Sequence, residues 1–283
     1  YEIPKRDWSS DVCSSDLSAR RNMSVADFSG LTKKKPEKSL TVTKIRKSGR
    51  NNQGRITTRH RGGGAKRAYR LVDFVFASAN NAEIIALEYD PNRSANIALV
   101  KLEDGSKAYV LATSNMRVGK VLTAGDNAEI KSGNRLKLKD MPVGSTICNI
   151  EMQPGRGGQL VRSAGARAQL AAKEGDWAQI KLPSGEVRLI HVNCMATVGQ
   201  IGNADHQNIT YGSAGRMRHK GRRPSVRGKA MNPSDHPMGG GEGLSGPGRI
   251  PRTPWGKVAM GLKTRRRKST SAMIIRGRGK GRG

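Results

Sequence analysis

Basic residues are segregated to the two ends of this sequence, and the segregation limits what each part can fold into. Residues 18–70 hold 16 Lys/Arg against 2 Asp/Glu, a net of +14, and residues 212–283 hold 19 against 2, a net of +17. Residues 71–200 hold 15 against 13, a net of +2. Both ends are rich in glycine and poor in apolar periodicity. Such segments cannot bury enough apolar surface to offset the entropy of ordering their backbones. The middle can. The chain of 283 residues carries +30 in all, a self-repulsion that calls for a polyanionic partner, and nucleic acid is the first to consider. The ends therefore read as extensions that order against a polyanion. Two large aromatics, Tyr211 and Trp255, favour that over a solvated tail.

Other classes recede on simple grounds. No apolar run approaches the roughly 18 residues of a membrane helix, so no membrane partner is expected. The cysteines, Cys13, Cys148 and Cys194, are odd in number and irregularly spaced, which argues against a disulfide framework and suits a reducing compartment. His191 and Cys194 have a chelate-like spacing, but no second pair matches them. They read as ordinary side chains at a strand end, and no metal site is expected. Residues 1–17 carry four acids and two bases beside a strongly basic segment, and Val12–Leu17 resembles a translated sequencing adapter. They are read as a non-native artefact and given no function.

The neutral middle alternates as strands do. Tyr69–Phe76 is β-branched and aromatic, and Glu83–Tyr89 puts Ile85, Leu87 and Tyr89 on one face. Ile97–Leu102 and Lys107–Leu111 flank a turn at Glu103–Ser106. Trp177–Leu182 and Glu186–Val192 flank another at Pro183–Gly185. Short strands with close turns suggest small closed barrels, and about 130 residues accommodate two. Met141–Gly144 lies near their junction.

Several motifs could carry chemistry. Arg59–Lys66, RHRGGGAK, lacks the spacing and the hydroxyl of a Walker loop. Its glycines make more sense where backbone approaches RNA phosphate. Asp90–Leu99 begins with a Pro-Asn turn that presents Arg93. Gly155–Gly165 offers Arg156 and Arg162 on a glycine-rich connection into the second barrel. Met231–Gly243, MNPSDHPMGGGEG, holds Asp235, His236 and Glu242, which could suggest acid–base chemistry. Catalysis needs a histidine fixed by rigid neighbours, and this stretch is loop material.

Taken together, RNNQGRITTRHRGGG (Arg50–Gly64), EYDPNRSANIAL (Glu88–Leu99), GGQLVRSAG (Gly157–Gly165), RPSVRGKAMNPSDHPMGGGEG (Arg223–Gly243) and TPWG (Thr253–Gly256) occur in an order that closely resembles the bacterial-type large-ribosomal-subunit protein two family. The resemblance covers about residues 18–283 and suggests a native beginning near Ser18. It implies a mainly β fold, an OB-fold barrel followed by an SH3-like barrel, with long basic irregular extensions at both ends. The corresponding division is 18–68, 69–140, 141–201 and 202–283. It implies early binding of large-subunit rRNA, a contribution to subunit association through an intersubunit bridge, and support for tRNA placement near the peptidyl transferase centre.

The residues expected to bind rRNA are Arg50, Arg55, Arg59, His60, Arg61, Lys66, Arg93, Arg156, Arg162, Arg223, Arg227, Lys229, His236, Arg265, Arg266 and Arg267. Arg93 and Arg162 match the family's rRNA-contacting arginines, and His236 matches a histidine once proposed for peptide-bond formation. Asp235, His236, Met238, Gly239, Gly240, Gly241 and Glu242 are expected near the peptidyl transferase centre. The family pattern usually has a second histidine where Met238 stands, a departure that weakens any paired-histidine mechanism. No catalytic residue and no cofactor is expected, apart from Mg²⁺ associated with rRNA. Asp235 and Glu242 would be costly beside phosphates unless they accept from base amines, the 2′-OH, arginines or such Mg²⁺. The expected setting is a cytoplasmic ribosome of bacterial rather than organelle type. Two other classes compete: a nucleic-acid enzyme using His236 and Asp235, and a general nucleic-acid compactor.

Overall fold

The alternation in the neutral middle becomes strand after strand. A computed structural model describes residues 21–278, apart from positions 34, 77, 78, 127, 244, 245, 247, 263 and 268. The expectations for residues 1–17 and for a beginning near Ser18 lie outside the described residues. The chain divides into a larger unit, containing residues 21–45, 66–213 and 270–278, and a smaller one, containing 46–65 and 214–269.

The larger unit opens with β1 (Thr41–Thr43) and β2 (Ala68–Arg70), which pair as a ribbon. Next come β3 (Ala79–Glu88), β4 (Ile97–Lys101), β5 (Lys107–Leu111), β6 (Val121–Ala124) and β7 (Arg135–Lys137). Then follow β8 (Thr146–Cys148), β9 (Ile150–Glu151), β10 (Gly158–Leu160), β11 (Ala168–Glu174), β12 (Trp177–Lys181), β13 (Val187–His191) and β14 (Met195–Val198). A last strand, β15 (Ile274–Arg276), returns from the second basic arm to pair with β13. Strands β9 and β10 pair with each other, and the remaining eleven form one sheet in the order β15-β13-β12-β11-β8-β14-β7-β6-β3-β4-β5. Within that sheet one junction, β6 to β7 at Ala124 and Arg135, is parallel.

The two largest of four buried clusters lie against this sheet. Phe76, Ala82, Ile84, Ala98, Val100, Val110 and Leu122 fill the first. Leu136, Leu138, Met141, Ile147, Ile150, Leu170, Ile180 and Ile190 fill the second. Both expected hairpins form by one device. Leu102 N–H donates to Ser106 O and Gly105 N–H to Leu102 O; Leu182 N–H donates to Glu186 O and Gly185 N–H to Leu182 O. The glycines take φ of +78° and +84°, the left-handed position of a three-residue hairpin connection.

One strand expectation needs correction, and a second holds with its exposed side now identified. Tyr69–Phe76 is not one strand. Strand β2 ends at Arg70, Val72 makes an isolated bridge to Tyr109, and the Asp73 carboxylate accepts from the Val75 and Phe76 N–H groups. An aspartate that captures the next N–H groups turns the chain out of a ladder. In β3, the face carrying Ile85 and Tyr89 is the outer one; Ala82, Ile84, Ala86 and Glu88 point inward. A register shift against β4 between Ile84 and Ala86 accompanies this arrangement.

A buried ion pair ties the elements around the two cores. Arg135 donates to Glu151 Oε1 at 3.0 Å, to Val75 O at 2.9 Å and to Asn149 O at 2.8 Å. Glu151 also accepts from the N–H groups of Gly157 and Met195. Desolvation pushes the Arg135 pKa down, opposed by the charge of Glu151.

The smaller unit is built differently. His236 is its one buried residue among those described. Backbone bonds hold it together: Gly62 N–H to Gly221 O, Ala65 N–H to His219 O, and Arg223 N–H to His60 O. The arms, separate in sequence, meet here strand-fashion. A short helix, α1 (Ala214–His219), ends in a Schellman cap: Gly221 N–H donates to Arg218 O and Arg222 N–H to Met217 O. Two more hairpin turns of the barrel type appear, at Asn51–Arg55 and Thr253–Lys257.

Candidate nucleic-acid interface

Arg93 is presented by a turn that its own aspartate builds. Asp90, fully buried, accepts from the Asn92 N–H at 2.9 Å and from Arg93 Nε at 2.6 Å. The Asn92 amide reaches Ala68 O at 2.7 Å, and Arg67 donates to Pro91 O. With Nε committed, the terminal nitrogens of Arg93 make no hydrogen bond among the described residues, and they remain able to receive an anion.

Arg162 arrives from the other side of the sequence. Its loop is pinned by Gly157 N–H on Glu151, by Gly158 N–H on Phe74 O at 2.8 Å, and by Ala164 N–H on Ser94 Oγ at 3.1 Å. The Gly158 bond brings the loop to Phe74, where the two arginines meet. Arg162 Cζ lies 4.6 Å from the centre of the Phe74 ring, and Arg93 Cζ lies 5.6 Å from it. The ring's negative face attracts both cations, at about 0.5–1 kcal/mol each where water has access. An open cleft beside them is lined by Tyr69, Phe74, Asn92, Arg93 and Arg162. Lys44 lies over the Tyr69 ring at 5.0 Å. The cleft thus brings two arginines together beside two aromatic rings, a set that suits phosphates.

In the smaller unit, His60 Nδ1 sits 2.9 Å from Pro224 O, and Arg46 donates to the carbonyls of Gly63, Gly64 and Ala65. Of the three glycines Gly62–Gly64, only Gly64 packs tightly within the protein, and a Cβ at Gly63 would meet nothing within 4 Å. A Cβ at Gly64 would come within 2.7 Å of His219 O and 2.8 Å of Gly221 N, so its closeness serves the meeting of the arms.

The loop from Met231 to Gly243 closes on itself. Asp235 and His236 N–H donate to Asn232 O, Gly239 N–H to His236 O, and Gly240 N–H to Met231 O. A Cβ at Gly239 would meet Asn232 O at 2.4 Å. The His236 ring lies against Gly228, where a Cβ would meet three ring atoms within 2.5 Å. Its Nδ1 accepts from the Met238 N–H at 3.0 Å. The nitrogen that a carboxylate would orient in an acid–base dyad is therefore occupied by the loop itself. Asp235 and Glu242 are exposed. No group of three or more His, Cys, Asp or Glu side chains able to hold a metal occurs among the described residues. His191 ends β13, its ring edge-on to Trp177, and Cys194 is buried in the second core.

Comparison with known families gives two matches in sequence order. Residues 37–124 match the model described as Ribosomal Proteins L2, RNA binding N-terminal domain, and residues 131–256 match Ribosomal Proteins L2, C-terminal domain. The chain belongs to the ribosomal protein L2 family. It is an RNA-binding structural protein of the large ribosomal subunit, not an enzyme, and the two cored regions are its OB-like and SH3-like barrels.

Seen as an L2 protein, its expected contact residues fall into two sets. Lys66, Arg93, Arg156 and Arg162 lie in the larger unit; Arg156 is exposed and donates to Gln153 Oε1. The smaller unit carries Arg50, Arg55, Arg59, His60, Arg61, Arg223, Arg227, Lys229, His236, Arg265, Arg266 and Arg267, of which all but His236 are exposed. Within it the fold brings Arg59, His60 and Arg61 alongside Arg222 and Arg223. Sequence reasoning missed Phe74, which it took for a strand residue, and Arg46, one arginine among many. It missed Asp90 as the anchor of Arg93, although an aspartate at the head of a Pro-Asn turn is a usable signal.

Proposed function

We propose that this L2 protein is a primary rRNA-binding protein that grips large-subunit rRNA with Arg93 and Arg162 across Phe74. The convergence of those two arginines, 69 positions apart in sequence, on the partly buried Phe74 ring carries the reading, because it holds two cations at the edge of one open cleft. Arg50, Arg55, Arg59, His60, Arg61, Lys66, Arg156, Arg223, Arg227, Lys229 and Arg265–Arg267 supply further phosphate contacts, and His236 positions its loop. The segment from Asp235 to Glu242, including Met238 and Gly239–Gly241, organises the neighbourhood of the peptidyl transferase centre. Through these contacts the protein supports subunit association, by an intersubunit bridge, and tRNA placement. The setting is a cytoplasmic ribosome of bacterial type. The working division of the chain is 18–68 and 202–283 as basic extensions, with 69–140 and 141–201 as the two barrels.

The test is reconstitution. Large subunits assembled with and without the chain should differ in association with small subunits and in tRNA occupancy. Normal association and occupancy without it would overturn the finer roles. Release of the native protein from large subunits at high salt would instead point to a general compactor.

A further inference from the structure

The largest apolar side chain of the smaller unit is left in solvent. Trp255 is 74 % exposed. It does not hang on a loose tail. Thr253 N–H donates to Lys257 O at 2.7 Å, Gly256 N–H donates to Thr253 O at 2.9 Å, and Arg252 bridges Val258. This is the connection used by the two barrel hairpins, with Pro254 fixing one backbone angle and Gly256 at φ +77°. The indole therefore projects from a defined turn. Arg59, from the other basic arm, lies over it with Cζ 5.4 Å from the ring centre, and Arg59 makes no ion pair among the described residues.

A rigid, exposed indole next to an unpaired guanidinium is the arrangement that single-stranded nucleic acid uses. An unpaired base stacks on the ring, and the cation serves the adjoining phosphate. A base inside a duplex has both faces already stacked on its neighbours. The surroundings favour RNA over a protein partner, since residues 212–283 carry 19 Lys/Arg against 2 Asp/Glu. We propose that Trp255, braced by Arg59, is a stacking platform for one unpaired base of RNA. This rests on the RNA-binding reading above and adds a base contact to a set of residues otherwise suited to phosphates.

The test reads Trp255 directly. In the full chain, Trp8→Phe and Trp177→Phe leave Trp255 as the sole indole. A short oligoadenylate should quench its emission, and the same strand with abasic sites should quench it far less at equal occupancy. Trp255→Ala should bind the oligoadenylate about 5- to 150-fold more weakly, Trp255→Phe should restore most of the loss, and neither should change the salt slope. RNA binding with a normal salt slope, but equal quenching by both strands or unchanged affinity in Trp255→Ala, would overturn the platform and leave the RNA-binding reading intact. Absence of binding to any RNA would overturn both. The emission comparison needs no truncated variant, so it decides even if Trp255→Ala disturbs the turn.

Discussion

Arg135 and Glu151 meet inside the protein, Nη2 to Oε1 at 3.0 Å, with 1 % and 0 % of their side chains exposed. Each also serves backbone groups, Val75 O and Asn149 O for Arg135 and the Gly157 and Met195 N–H groups for Glu151, so neither can be removed cleanly. Breaking a buried pair from one side strands the other charge and costs about 3–5 kcal/mol. Arg135→Met and Glu151→Gln should each destabilise by about that much in urea unfolding of the full chain. The double variant Arg135→Met/Glu151→Gln should cost clearly less than the sum of the two single variants, because no charge is orphaned. Additivity within about 0.5 kcal/mol would show that the pair is not coupled.

The cleft at Phe74 separates charge from stacking. Arg93→Ala and Arg162→Ala should each weaken binding to an rRNA fragment by about 1.5–3 kcal/mol and lower the salt slope by about 0.7–0.9. Phe74→Leu keeps both charges but removes the ring that holds them. It should weaken binding with the slope unchanged. Titrations at several salt concentrations distinguish these results, and unchanged affinity in all three variants would place RNA elsewhere.

What could be read from the sequence was what local chemistry encodes. The two barrel hairpins announce themselves through LEDG (Leu102–Gly105) and LPSG (Leu182–Gly185). The turns at Asn51–Gly54, NNQG, and Thr253–Gly256, TPWG, carry the same glycine in the fourth place and were equally legible, but the basic composition around them masked the signal. The outward face of β3 was harder. Ile85 and Tyr89 look like core residues, while the inward face is made of Ala82, Ile84, Ala86 and the charged Glu88. The meeting of the arms could not be read at all. It rests mainly on backbone bonds between 60–65 and 219–223, with the His60 ring on Pro224 O, and none of these names its partner in the sequence. The expectation that the arms lack an apolar core holds in the smaller unit, where His236 alone is buried among the described residues.

Glu88 gives the first barrel a measurable pH dependence. Burial raises its pKa above the ordinary 4.5, opposed by the Tyr109 hydroxyl, which donates to it at 2.8 Å, and by Lys33 and Arg70; Glu37 adds to the rise. The folded state thus holds this proton more tightly than the unfolded chain. The site's contribution is fully present below pH 4.5 and is lost as pH rises through the elevated folded value. Glu88→Gln removes the titration and can still accept from Tyr109. Its stability relative to the parent should therefore improve steadily from below pH 4.5 towards neutrality. A difference that stays flat across that window, measured by urea unfolding at each pH, would refute the assignment.

His236 poses the sharpest question, because its neighbourhood contains the residues of an acid–base site without the geometry. A neutral imidazole has one nitrogen able to accept a proton. Here Nδ1 accepts from the Met238 N–H at 3.0 Å, which leaves Nε2 as the donor. The ring could act as a base only by releasing the loop it closes. Removing a working general base costs about 10²–10⁴-fold in rate. His236→Ala should instead show near-normal peptide transfer in particles that assemble, with its fault in assembly or tRNA placement. Gly228→Ala tests the same contact without touching the imidazole, since its Cβ would lie 2.4 Å from ring atoms. It should reproduce the assembly fault. The measurement is single-turnover transfer at saturating substrate on purified mutant particles. A loss of more than about a hundredfold in His236→Ala particles, with occupancy and rRNA structure intact, would restore a catalytic histidine.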